Sequence, residues 1–209
     1  MTRGLLLLSL VLGCLCTVSH LSHASEPVGD EGTFEVERIQ REREEKNRFF
    51  RWDPRPPLRP EDQRRFRGLA YYPVDPGCVF SGPLERNSSG KTEYVRLPTS
   101  KGNFRTYVRV GTFRFRMHHR EFSLAVYRFV GRSTLFLPFR DKTNGHETYE
   151  NGRYVDVRLA GGDMIVVDFN SAHNPYCAYN PKYTCAFAPE ENVLDTAVRC
   201  GEKTFLPLP

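Results

Sequence analysis

The sequence lacks the short signatures that usually announce an activity. No G-x-S-x-G, H-E-x-x-H, P-loop or dinucleotide fingerprint is present, so the enzyme classes built on those arrangements have no support. No internal repeat is visible, which removes solenoids and propellers. The only sustained apolar run, within residues 5–12, is too short to cross a bilayer. An excess of one charge is also missing: 30 basic against 25 acidic residues leave +5, too mild to imply a nucleic-acid partner, and none is expected. His118 and His119 are adjacent, and on a strand they would face opposite sides. No metal site and no cofactor are therefore expected.

What is there begins with residues 1–24, which have a basic start, a short apolar stretch and small residues at 22 and 24. This is the pattern of a secretory signal peptide cleaved after Ala24, implying a secreted or periplasmic protein. Val11-Leu-Gly-Cys14 offers a competing reading: lipidation at Cys14 and a tether to the outside of a membrane, the one route by which a membrane enters the expectation. Loss of the leader leaves four cysteines, Cys78, Cys177, Cys185 and Cys200. In an oxidising compartment these read as two disulfides, with three connectivities open.

Residues 25–67 form an N-terminal arm. Glu35–Arg51 has no Gly or Pro and predicts a helix, solvated along its charged length and docked by Phe49-Phe50. Its Arg/Glu alternation reads as a salt-bridged exposed face. A proline-rich connector and a short helix near 60–66 follow.

Residues 68–209 change character. Strands are expected over 92–98, 104–110, 113–117, 121–130, 134–139, 154–159 and 164–169, each rich in β-branched or aromatic residues and bounded by turn formers. With no long helix between them the connections are antiparallel, giving a mainly β, single-domain antiparallel barrel or sandwich. In 104–116 the alternation places Phe104, Thr106, Val108, Val110, Phe113 and Phe115 inward, with Arg105, Tyr107, Arg109, Arg114 and Arg116 outward. Asn87-Ser-Ser is an N-glycan acceptor if the source is eukaryotic.

Two polar stretches carry the candidate site. The first, FRDKTNGHETYENGRY (139–154), turns at Asn144-Gly145 and Asn151-Gly152 and holds Arg140, Asp141, Glu147, Tyr149 and Arg153. The second, DFNSAHNPYCAYNPKYTC (168–185), holds Asp168, Asn170 and Asn174 at the end of a strand, where ligand groups tend to be placed. Together with FRGLAYYPVDP (66–76) and ENVL (191–194), these stretches resemble DUF1684, a family of mostly bacterial relatives without an established activity, over about residues 37–204. The resemblance implies one β-rich domain. His173 and the variable His146 depart from its pattern, as do Cys78 and Cys200. Because the two unusual cysteines occur together, the expected pairing is Cys78 with Cys200 and Cys177 with Cys185.

Three functional readings follow. In the leading one the two loops form a rim for a small polar or anionic molecule, clamped by Arg140 and Arg153 and oriented by Asp141, Tyr149, Asp168, Asn170 and Asn174. In the second, Glu147 or Asp168 is the acid/base of a hydrolase or transferase. In the third, the polar residues only satisfy one another and buried backbone. Convergence on an open pocket separates the first two from the last.

Overall fold

The computed structural model describes residues 32–206. The leader, Cys14 and Ala24 lie outside these residues. Helix α1 (Gly32–Trp52) stops just before Asp53-Pro54, where the residue preceding proline is pushed out of helical geometry. Helix α2 (Pro60–Arg65) opens with proline and carries Glu61 and Asp62 in its first turn. Seven strands follow: β1 (Val79–Arg86), β2 (Glu93–Pro98), β3 (Phe104–Met117), β4 (Arg120–Phe129), β5 (Leu135–Phe139), β6 (Arg153–Gly161) and β7 (Met164–Asp168).

The strands close into an antiparallel six-stranded barrel. The ladder runs β1-β7-β6-β5-β4-β3 and returns to β1, while β2 extends the first half of β3. Its interior is filled by Phe80, Phe113, Phe115, Phe139 and Phe169 with Leu124, Leu137, Val155 and Val167, all almost wholly inaccessible. At roughly 1.5–3 kcal/mol per ring, against about 0–1 kcal/mol for an exposed ion pair, these side chains hold the barrel. Polar residues at its ends set geometry.

The structure corrects several expectations. Strand β1 is not announced by its sequence because Gly82 and Pro83 interrupt it. The proline is tolerated because β1 changes partner there: Val79–Pro83 pairs with β7, and Leu84–Arg86 with β3. In β3 the register slips between Arg109 and Gly111, where a Cβ on Gly111 would stand 2.4 Å from the Glu85 carbonyl oxygen. The bulge lets Val110 and Phe113, of opposite parity, both face the main core, as the alternation requires. Tyr107 is on the outward face as expected, yet it is buried there in a second cluster with Tyr127, Phe136 and Ala186, whereas Phe104 is exposed. His118 and His119 are not on a strand; with φ of 50° and 61° they form the two-residue turn between β3 and β4.

Antiparallel connection brings the start of β1, the β3–β4 turn, the β5–β6 connection and the end of β7 to one end of the barrel. Both polar stretches are therefore neighbours. That end is closed by the C-terminal segment, whose Leu194, Val198 and Cys200 belong to the main core. Cys200 is disulfide-bonded to Cys78 with 6.6 Å between Cα atoms. The cross-link spans 122 residues and, through lost unfolded-state entropy, contributes about 4–5 kcal/mol.

Candidate functional site

The two polar stretches meet, but not around an open rim. Arg153 is fully buried, and its guanidinium donates to Asp141 Oδ2 at 2.9 Å and to the carbonyls of Val198, Cys200 and Glu202. Asp141 also accepts from the amides of Thr143 and Val198. The pair locks the C-terminal plug into the barrel mouth. Gly152 permits this: with φ at +94° it brings its backbone so close to Phe139 that a Cβ would lie 2.4 Å from that carbonyl oxygen.

Arg140 is exposed, and among the described residues its guanidinium has no partner. It does not join Arg153, so the expected guanidinium clamp does not form: one member is buried and its two terminal nitrogens are bound to internal acceptors. Asn174 is also internal, donating to Glu202 Oε1 at 3.0 Å and to the Lys203 carbonyl. Tyr149 accepts from Asn151 and lies 3.9 Å from Cys177 Sγ. Glu147 accepts from Tyr72 Oη and pairs with Arg199. The bonds from Arg199 and then Tyr72 hold its carboxyl below the usual range, the opposite of what an acid/base poised near neutrality needs.

Asp168 and Asn170 have a different setting. Asp168 caps the turn after β7 through the Asn170 amide and forms a 2.7 Å ion pair with Arg38 of α1. The Asn170 side chain bonds reciprocally to the Asp75 backbone, and its carbonyl accepts from Arg43 at 3.1 Å. Lys46, one turn further along α1, reaches buried Glu202 at 2.7 Å. Glu202 also accepts from Tyr179 and Asn174. Thus α1 is not docked by a Phe49-Phe50 pair, since Phe49 is exposed. Ile39 and Phe50 are buried, and Arg38, Arg43 and Lys46 cross to the barrel.

Along this seam lies a cleft of about 450 Å³, within the range of small-molecule sites. Its walls include Arg38, Arg43, Lys46 and Arg158 on one account of charge, and Glu42, Asp156 and Asp168 on the other. Phe49 and Tyr176 supply its exposed apolar surface. Among the described residues Arg43 donates only to the carbonyls of Tyr72 and Asn170, and it stacks 4.5 Å over the Tyr71 ring. Burial pulls its guanidinium below the usual value. His173, also in the wall, is held below the usual imidazole value by burial and then by Lys46. Arg38, Arg43 and Lys46 were not singled out from sequence. The usable signal was the i, i+4, i+7, i+11 ladder Ile39, Arg43, Lys46, Phe50, which defines the docked face.

The family profile described as a protein of unknown function, DUF1684, matches residues 64–203. The chain belongs to the DUF1684 family. No curated protein matches it. This DUF1684 chain is similar to an uncharacterized protein of Haloarcula marismortui, known from a solution NMR structure. The two share 38% identity over 84% of this chain and 97% of that one, with a TM-score of 0.65. Helix α1, which forms one side of the cleft, precedes the segment matched by the family profile.

One further expectation differs from the structure. Cys177 and Cys185, expected as a disulfide, are free thiols. The turn at Tyr176–Ala178 aims the Cys177 backbone amide, 3.1 Å away, at Cys185 Sγ and leaves the sulfurs as hydrogen-bonding neighbours. Among the described residues the grouping with metal-ligand spacing is Asp75, Cys78 and Cys200, two of which are spent in the disulfide. Asn87 is exposed in the β1–β2 connection, its amide donating to Glu93.

Proposed function

We propose that this DUF1684 domain is an exported binding module that holds a small anionic molecule with an apolar portion in the cleft between α1 and the β6–β7 rim. The observation that carries the reading is Arg43: a half-buried guanidinium in the wall of a 450 Å³ cleft, fixed by carbonyls rather than by a carboxylate in contact. A fixed planar cation recognises carboxylate or phosphate without first losing side-chain freedom. Phe49 and Tyr176 supply the apolar wall. Asp168 and Asn170 belong to the site as its supports, one holding Arg38 and the other receiving Arg43. Export is supported by the leader-like residues 1–24 and by the Cys78–Cys200 disulfide.

Amide chemical-shift mapping during titration with octanoate, and separately with inorganic phosphate, tests the placement. Shifts are expected around Arg43, Asn170 and His173. Shifts confined to 140–153 would return the site to the hairpin and refute this reading.

A further inference from the structure

A second cleft, of about 450 Å³, lies where the end of α1 meets α2. It is lined by Arg51, Trp52, Gln63, Arg64, Phe66 and Arg67, with no carboxylate among them. This separates it from the cleft beside Arg43, where cations and carboxylates alternate. Arginines on the barrel surface often find acids: Arg86 with Asp163, Arg114 with Glu85, Arg120 with Asp195, Arg199 with Glu147. Among the described residues Arg51, Arg64 and Arg67 form no ion pair. Arg51 donates to the Arg67 carbonyl at 2.7 Å, and its guanidinium lies 6.0 Å from the Phe66 ring centre. These contacts hold two of the three cationic residues together, while Gln63 ties α2 to the carbonyls of Arg51 and Asp53.

At the edge of this cleft stands Trp52, 75% exposed. A large amphipathic ring left in water beside three unpaired guanidinium groups is the combination found where proteins rest on a lipid–water interface: the indole sits at headgroup depth and the cations meet phosphate. We propose that the Trp52 cleft docks the protein onto an anionic membrane surface, with phospholipid phosphate held by Arg51, Arg64 and Arg67. Single-stranded nucleic acid fits less well. It needs several exposed rings for successive bases, and here Phe66 is buried, leaving Trp52 as the one exposed ring of the cleft.

Trp52 is the chain's single tryptophan, so its emission reports this site directly. The full chain is mixed with vesicles of phosphatidylcholine plus phosphatidylglycerol, or of phosphatidylcholine alone, and both emission and co-sedimentation are followed. With anionic vesicles we expect a blue shift, quenching by lipids brominated near the headgroup, and reversal by salt. Arg64→Glu combined with Arg67→Glu should weaken co-sedimentation at least tenfold, on the order of what loss of two phosphate contacts implies, with the unfolding midpoint unchanged. Trp52→Phe should weaken it less. Emission unmoved by anionic vesicles, or sedimentation indifferent to the charge reversal, would overturn the proposal. So would binding of inorganic phosphate or of an oligonucleotide at this cleft without vesicle binding.

Discussion

Arg153 Nη2 sits 2.9 Å from Asp141 Oδ2 with both side chains wholly inaccessible. This relationship turns the most conspicuous charged pair of the polar motifs into a lock on the C-terminal plug. A buried pair gains little over a well-packed apolar replacement, but removing one partner leaves the other charged and unmatched. We therefore expect Arg153→Met to cost about 3–5 kcal/mol in urea unfolding, with Asp141→Asn less damaging because it keeps an acceptor. Octanoate binding by whatever remains folded should be unchanged. Wild-type stability in Arg153→Met would remove the lock.

Glu202 plays the corresponding part for α1. It is buried and accepts from Lys46, Tyr179 and both the backbone and side-chain amides of Asn174, so Glu202→Ala strands a cation and three donors. The expected cost is again about 3–5 kcal/mol. Hydrogen exchange should show α1 amides losing protection before those of the barrel. Uniform loss across helix and barrel would mean that Glu202 does not specifically hold the helix.

The free thiols separate by reactivity. The hydrogen bond from Cys185 lowers Cys177 to about 6, against the opposing effect of burial, with Ser100 and Tyr149 assisting. The same hydrogen bond and burial push Cys185 far up. Iodoacetamide should therefore label Cys177 first, with a rate rising through roughly pH 6 and levelling by neutrality. Equal labelling of both, or a rise only near the ordinary thiol value, would contradict the arrangement. Failure of both to react before reduction would restore the disulfide expected from sequence.

Acid sensitivity follows from three carboxylates. Glu147 is lowered by Arg199 and Tyr72, and Asp195 by Lys142 and Arg120. At Glu191 burial opposes charging, but bonds from Arg109 and Tyr127 prevail. Groups whose folded values lie below the unfolded ones stabilise fully above the unfolded value. That contribution fades as pH falls through the folded value. The thermal midpoint should begin to fall below neutrality, because His173 and Cys177 lie below their unfolded values and the unfolded chain takes up those protons first, and it should drop further below about pH 4 as the carboxylates protonate. Glu191→Gln should shrink the drop, and an unchanged acid limb in that variant would exclude its share.

Much of the architecture is legible in the chain. Alternation in 113–117 and 121–130 marks strands whose inward residues fill the barrel, and the asparagine-glycine pairs mark turns in the β5–β6 connection. The burial of the outward face around Tyr107 is not legible, because it depends on Ala186, from a distant part of the chain, packing over β3 and β4. Nor is the role of the polar motifs. Asn192, for example, bonds both backbone groups of Ala125 and the Pro138 carbonyl, bridging β4 and β5 where their own ladder is short. A residue type that reads a ligand also reads backbone, and only the fold decides which. The anchoring cations Arg43 and Lys46 were hidden for a related reason, since interleaved glutamates make the helix look solvated all round.

The proposed function locates anion recognition in the seam under α1 rather than at the barrel mouth. Calorimetric titration of octanoate into the wild-type chain, Arg43→Ala and Arg140→Ala tests this most directly. Arg43→Ala is expected to weaken binding at least tenfold, on the order of one charge-assisted contact, with Arg140→Ala equal to wild type. Loss in Arg140→Ala with Arg43→Ala unaffected would place the site back at the hairpin and contradict the claim.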